Sequence, residues 1–182
     1  MRKIIAAEFM SLDGVVESAN QLTGQYFSDE LQQWLGAGMA GTDTLLMGRV
    51  TYQEFVPFWA DKTGTEDPVA AHMSKPKYVV STTLADTSEW PNSTLISSNV
   101  AGQLTRLREQ PGKDILALGS ATLVRWLLRE GLADELDLLV FPIVVGHGKR
   151  LFDGEGSEVK LKLAGCEAFS TGVVHLTYHP AS

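Results

Sequence analysis

The chain has 182 residues, a length that suits one domain, and we expect residues 1–182 to form that domain. Its net charge of −7 disfavours nucleic acid as a partner, and no apolar run is long enough to span a membrane. The single cysteine, Cys166, excludes an internal disulfide and a multi-cysteine zinc site, and the spacing of the histidines suggests no metal. We therefore expect a cytoplasmic protein that acts on a small molecule.

Segments with strand-like spacing alternate along the chain with segments of helical spacing, a pattern typical of a parallel sheet. Strands are predicted at 4–9, 44–47, 77–82, 94–97, 115–118, 135–145, 161–168 and 173–179. Ser28 and Asn99 are predicted to cap helices, another helix begins near Thr51, and Gly131 ends the helix that carries Leu123 to Leu128.

The C-terminal strands are expected to form an antiparallel pair because a short turn at 170–172 joins them. Pro142 lies inside the predicted strand 135–145, where it indicates a bulge or a strand end. The polar segment 61–68 is predicted to be a surface loop. The predicted fold class is α/β, with a twisted, mostly parallel sheet, helices on both faces and an antiparallel C-terminal edge.

Three loops follow predicted strands at the edge where open parallel sheets bind ligands: 48–51, 81–83 and 119–122. Their glycines permit close approach of a ligand, and the helix starts behind them attract phosphate oxygens. One such loop is usually an ordinary connection, but three in one sheet favour a dinucleotide. The sequence has neither GxGxxG nor GxxxxGK[ST], so a nucleotide site here requires another arrangement.

The first of these loops carries a family resemblance. Leu45-Leu46-Met47-Gly48-Arg49-Val50-Thr51-Tyr52 resembles the MGRxT(W/Y) segment of dihydrofolate reductases. Ser81-Thr82-Thr83 occupies the place of that family's second adenosine-phosphate loop. Leu118-Gly119-Ser120-Ala121-Thr122-Leu123 resembles its glycine-pair turn, with serine in place of the second glycine.

Two further segments narrow the resemblance to the reductases of riboflavin biosynthesis. Ser11-Leu12-Asp13-Gly14-Val15-Val16 resembles their S-x-D-G turn, and residues 141–152 resemble their P-x-x-x-G-x-G-x-x-L-F segment. The zinc deaminase half of the bifunctional proteins, with its HxE and PCxxC motifs, has no counterpart here. Over residues 2 to 179 the chain therefore resembles the C-terminal reductase domain of the bifunctional deaminase–reductases and its stand-alone relatives.

The resemblance implies hydride transfer from NADPH to a small heterocyclic or sugar-derived substrate, such as 5-amino-6-(5-phosphoribosylamino)uracil, in a homodimer. It assigns Arg49 to the 2′-phosphate of NADPH and Asp13 to catalysis and substrate contact. Lys149 could bind a substrate phosphate, or it could form a solvated surface pair with Arg150. The residues expected to bind the cofactor are Ala7, Val16, Gly48, Arg49, Val50, Thr51, Ser81, Thr82, Gly119, Ser120, Ala121 and Thr122.

Several alternatives stay open. Asp29 or Glu30 could face a pterin, as in a dihydrofolate reductase, although acidic residues also favour the first turn of a helix for electrostatic reasons. Asp13 could simply hold its turn, and Glu8 is expected to face outward from its strand. A protein that binds NADPH without catalysis is the remaining alternative.

Overall fold

The computed structural model describes residues 1–17, 24–62, 67–154 and 158–181. The strands are β1 Ile4–Ser11, β2 Thr42–Gly48, β3 Lys77–Val80, β4 Ser93–Ile96, β5 Asp114–Leu118, β6 Glu135–Phe141, β7 Leu161–Ala168 and β8 Val174–Pro180. The α-helices are α1 Asp29–Gly41, α2 Arg49–Trp59, α3 Pro68–Met73, α4 Val100–Glu109 and α5 Ala121–Arg129, with a one-turn 3-10 helix at Gly24–Tyr26.

The eight strands form one sheet in the order β4-β3-β2-β5-β1-β6-β8-β7. The first six strands in this order pair in parallel with their neighbours, and β8 pairs antiparallel with both β6 and β7. The predicted fold class is therefore confirmed, including the antiparallel C-terminal edge. The strand β1 lies in the middle of the sheet, between β5 and β6.

Alternate residues of β1 point to opposite faces of the sheet, and helices cover both faces. Ile4 and Ala6 pack in one core with Leu104 of α4 and Val124 of α5. On the other face, Ile5 and Ala7 pack toward the core that contains Tyr52 of α2 and Met73 of α3. Farther along that second face, α1 packs Leu31 against Leu139 and Phe141 of β6.

Two of the predicted strands extend two or more residues past the C-terminal ends that the structure shows. The strand predicted at 135–145 ends at Phe141, because Pro142 has no N–H with which to continue the ladder. The strand predicted at 77–82 ends at Val80, because the Ser81 hydroxyl accepts hydrogen bonds from the N–H groups of Thr83 (3.1 Å) and Leu84 (3.0 Å). The first strand therefore stops for lack of a donor, and the second stops where a side-chain hydroxyl competes with the ladder.

The sequence pattern missed the short helix α3. Its N-cap is Asp67, whose carboxylate accepts from the N–H groups of Val69 (2.8 Å) and Ala70 (3.3 Å), and Pro68 occupies the first helical position. Of the predicted loop 61–68, residues 63–66 lie outside the described part of the chain.

The predicted helix caps are found where the sequence placed them, with one difference. The Ser28 hydroxyl accepts the Leu31 N–H at 3.2 Å, as expected. Asn99 precedes α4 but makes no capping hydrogen bond with its side chain. Gly131, at a φ of +65°, follows the end of α5.

Candidate cofactor and substrate site

The sheet opens between β1 and β5 at its C-terminal edge. β1 pairs with β5 only from Ile4 to Ala7, and β5 ends at Leu118. β1 nevertheless continues to Ser11 along β6 on its other side. Beyond Ala7, a gap therefore separates β1 from the turn at Gly119 and Ser120.

Two helix N-termini meet at this gap. Gly48 and Ser120 precede α2 and α5, and neither helix start receives a capping hydrogen bond from its N-cap side chain. The two turns are in close contact, because a Cβ atom added to Gly48 would overlap the Ser120 hydroxyl. The N–H groups of a first helical turn have no partner within the helix, so two anion-attracting helix ends lie side by side.

The turn before α5 depends on a left-handed backbone. Gly119 has a φ of +56° and Ser120 a φ of +67°. A Cβ atom at Gly119 would lie 3.2 Å from the Thr51 Oγ1. Glycine at position 119 therefore relieves both backbone strain and a tight contact with α2.

A cavity of about 1650 Å³ occupies the gap and extends over the face of the sheet that carries α1 and α2. Its walls include every residue predicted to bind a cofactor, together with Lys149: Ala7, Val16, Gly48, Arg49, Val50, Thr51, Ser81, Thr82, Gly119, Ser120, Ala121, Thr122 and Lys149. Residues scattered over the first 149 positions of the sequence are thus collected in one place.

Basic side chains lie at the wall of this cavity. Arg49 is the first residue of α2, is exposed, and donates to the Gln53 side chain at 2.8 Å. The ammonium of Lys149 lies 3.2 Å from the Thr122 hydroxyl in the first turn of α5. Each of the two helix starts therefore has a cation close to it, which strengthens the attraction for an anion.

Asp13 has a different environment from the one predicted. Its carboxylate accepts hydrogen bonds from the Ser11 hydroxyl (2.7 Å) and from the N–H groups of Val145 (3.0 Å) and Gly146 (2.9 Å). These three donors hold the pKa of Asp13 well below its usual range.

Asp13 is not among the described residues that line the cavity. Its contacts correspond to the alternative in which it holds the turn and ties it to the segment after β6. Its catalytic and substrate-binding roles stay predictions.

Glu8 contradicts the expectation of an outward-facing strand residue. It is only 4% exposed, because it shares the buried face of β1 with Ile4 and Ala6. It lines the cavity, and its Oε1 has no hydrogen-bond partner within the described residues. Burial raises the pKa of Glu8 to about 8, although the charge of Lys149 opposes the shift. The alternation of β1 was the signal that could have placed Glu8 inside.

The acidic residues considered for a pterin are not at the cavity. Asp29 and Glu30 are exposed, and neither is among its described lining residues. The Glu30 carboxylate accepts hydrogen bonds from the hydroxyl and the N–H of Ser170, which lower its pKa. Glu30 therefore connects α1 to the turn between β7 and β8.

No sequence pattern predicted the polar cluster on the cavity wall, which is formed by Trp34, Asp137, His175 and Thr177. The His175 Nε2 lies 2.9 Å from the Asp137 Oδ1 and 3.1 Å from the Trp34 Nε1. Asp137 and His175 are 38 positions apart, and only the pairing of β6 with β8 brings them together.

The described residues contain neither a metal-binding cluster nor a membrane-spanning helix. They contain no group of three or more His, Cys, Asp or Glu side chains arranged to hold a metal ion. Among them there is also no helix with the length and apolar character needed to cross a membrane.

Comparison with known proteins agrees with this architecture. The family model of the RibD C-terminal domain matches residues 2–175. The uncharacterized protein YyaP of Bacillus subtilis (strain 168) is 31% identical, over 98% of this chain and 95% of its own length.

Two solved structures share the fold. A putative riboflavin biosynthesis protein from Shewanella sp. PV-4 has a TM-score of 0.75 at 22% identity, with 99% of each chain covered. A diaminohydroxyphosphoribosylaminopyrimidine deaminase/5-amino-6-(5-phosphoribosylamino)uracil reductase from Thermotoga maritima has a TM-score of 0.69 at 18% identity, and 99% of this chain covers 57% of that one. The match to the family model over nearly the whole chain shows that the protein belongs to the RibD C-terminal domain family, a riboflavin biosynthesis reductase-like family with a dihydrofolate reductase-like fold.

Proposed function

We propose that the protein is an NADPH-dependent reductase of a ribosylamino-pyrimidine phosphate such as 5-amino-6-(5-phosphoribosylamino)uracil, and that it acts in the cytoplasm. The observation that supports this function is the cavity at the C-terminal edge of the sheet. Two helix starts without side-chain caps, two cations and an opened strand pair meet there. Such a site is suited to a ligand that has phosphates at one end and a flat ring at the other.

The chemistry of the cavity walls is suited to NADPH. The first-turn N–H groups of α2 and α5 would bind the pyrophosphate, with Gly48 and Gly119 permitting its close approach. Arg49 and the exposed Thr82, which both line the cavity, would bind the 2′-phosphate. Ala7 and Val16 would flank the nicotinamide ring, which supplies a hydride when the cofactor is bound.

The substrate would occupy the remaining space over the sheet face below α1. A ribosylamino-pyrimidine is reduced at C1 of its opened ribose, so the protein has to position that carbon beside Ala7 and exclude water. Lys149, exposed at the cavity wall, is assigned to the phosphate of the substrate. A pterin is disfavoured, because the Glu30 carboxylate is already bonded to Ser170.

Calorimetric titration of NADPH and NADH tests the cofactor assignment. NADPH should bind about ten- to a hundredfold more tightly, because charged hydrogen bonds contribute roughly 1.5–3 kcal/mol. Arg49→Gln should remove this preference, whereas the matched control Arg106→Gln, on α4, should keep it. Equal affinities of the wild type for the two cofactors would overturn the assignment.

Oxidation of NADPH, followed by absorbance, tests the substrate. We expect turnover with 5-amino-6-(5-phosphoribosylamino)uracil and little with dihydrofolate. Efficient reduction of dihydrofolate would favour the pterin reductase. Tight NADPH binding without turnover of either compound would favour a non-catalytic NADPH-binding protein.

We also propose a homodimer formed through the C-terminal strands. β7 is an edge strand of the sheet, and it exposes the apolar side chain of Leu163. An unpaired edge of this kind can pair with a second copy. Sedimentation should give twice the chain mass, and Leu163→Lys should shift the species toward the monomer, whereas a monomeric wild type would refute the proposal.

A further inference from the structure

A row of four residues crosses the sheet at the level where β1 separates from β5. Leu118, Ala7, Asp137 and Thr177 are register partners on β5, β1, β6 and β8. Register partners on neighbouring strands point to the same face and lie about 5 Å apart. Asp137 therefore lies one strand away from Ala7, on the face that bears the cavity.

Asp137 belongs to a compact cluster of hydrogen-bonding groups. Its Oδ1 lies 2.9 Å from the His175 Nε2 and accepts the Thr177 hydroxyl at 2.8 Å. The side chains of Asp137 and His175 are only 13% and 15% exposed, respectively, and both line the cavity. For the other carboxylate oxygen, Oδ2, no hydrogen bond to the described residues is found.

The contacts require a proton between Asp137 and His175. A carboxylate oxygen and an unprotonated imidazole nitrogen are both acceptors, and a separation of 2.9 Å between them needs a hydrogen on one of the two. The Trp34 Nε1 can only donate, and it points at the same His175 nitrogen at 3.1 Å.

Two neighbouring donors stay in place when the pair gives up this proton. Once the proton leaves, the Trp34 N–H can satisfy the freed lone pair on the His175 Nε2. The Thr177 hydroxyl continues to donate to the Asp137 Oδ1. The pair can therefore release its proton toward the cavity while both groups keep a hydrogen-bond donor, as a proton donor for the substrate requires.

We propose that the Asp137–His175 pair is the catalytic acid that protonates the substrate, an inference that rests on the proposed reductase function. In the ring-opened substrate, C1 and the amino nitrogen share a double bond. The hydride and its electron pair add to C1 as the π electrons of that bond move to the nitrogen. The nitrogen takes the proton from the pair, the oxidised cofactor is NADP⁺, and water returns a proton to the pair.

The same two strands provide a matched control. His179 and Glu135 form a second histidine–carboxylate pair between β8 and β6, at 3.3 Å. His179 is 48% exposed and is not among the residues found to line the cavity. The two pairs share their chemistry and their strands, but only in the first do both residues line the cavity, since Glu135 lines it and His179 does not.

Proton NMR of the histidine rings tests the contact without requiring turnover. The chain has only four histidines, and His175→Asn and His179→Asn assign the two signals of interest. Addition of 5-amino-6-(5-phosphoribosylamino)uracil to the NADP⁺-loaded protein, and to the protein without cofactor, should shift the His175 signal and leave the His179 signal in place. An unmoved His175 signal, or equal shifts of both, would overturn the proposal.

Single-turnover oxidation of bound NADPH tests the chemistry. His175→Asn and Asp137→Asn should each slow it about a hundredfold, the lower range for a general acid. The double variant should be no slower than either single variant, because the two residues act as a unit. His179→Asn should keep the wild-type rate, and NADPH affinity should be unchanged in all variants.

Additive losses in the double variant, or weakened NADPH binding in the single variants, would assign the pair a structural role instead. Failure of the wild type to bind NADPH would contradict the proposed function. The response of His175 to the substrate alone would still decide whether the pair contacts it.

Discussion

Glu8 provides a test of the electrostatics that does not depend on any substrate. Its folded-state pKa of about 8 lies above the ordinary value of 4.5, so the folded chain holds a proton that the unfolded chain has lost between these values. The stability of the wild type should therefore fall as the pH rises from about 4.5 to about 8. Glu8→Gln removes the titrating group and this dependence with it.

The expected magnitude follows from the pKa difference. Between about 8 and 4.5 it corresponds to at most ~5 kcal/mol of unfolding free energy. We expect the stability of Glu8→Gln relative to the wild type to increase by at least ~2 kcal/mol between pH 5 and pH 9, because partial relaxation reduces the full value.

Urea denaturation of both proteins across this pH range provides the measurement. Other groups titrate equally in the two proteins, so the difference between them isolates Glu8. Glu167→Gln, which removes an exposed carboxylate from β7, should show no such trend. A difference between Glu8→Gln and the wild type that stays constant from pH 5 to pH 9 would refute the argument.

Three further perturbations test other parts of the structure. Gly119→Ala and Gly131→Ala should each lose about 1–2 kcal/mol of stability, because both positions have positive φ. Only the first should weaken NADPH binding in calorimetry. Lys77→Met removes a buried ammonium whose pKa burial lowers to about 8. The stability of Lys77→Met relative to the wild type, measured in urea, should therefore fall as the pH rises above 8 toward 10.5. Asp13→Asn should accelerate amide hydrogen exchange in segment 143–146, and unchanged exchange would contradict its holding role. If its predicted catalytic role also holds, turnover should fall about a hundredfold.

The order of the strands and helices could be predicted because the signals for it are local. Hydrophobic spacing predicted each strand that the described residues form. Ser28 marked the start of α1, because its hydroxyl accepts a hydrogen bond from a residue only three positions away. The short helix α3 was missed because six residues show too little periodicity, although Asp67-Pro68 is a recognisable start.

Only part of the cavity could be predicted from the sequence. The loops after β2, β3 and β5 could be grouped because parallel strands bring their C-terminal ends to one edge. The Asp137–His175 pair could not be predicted, because it depends on the register between two antiparallel strands. Glu8 departs from the general rule that charged side chains face solvent, because the alternation of β1 places it on the buried face of the strand.

A crystal structure of the protein with NADPH tests the central claim most directly. We expect the pyrophosphate at the first turn of α5, the 2′-phosphate within hydrogen-bond distance of Arg49, and the nicotinamide beside Ala7. We also expect the free face of the nicotinamide to be directed toward Asp137 and His175. NADPH bound elsewhere, or no bound cofactor at saturating concentration, would contradict the account.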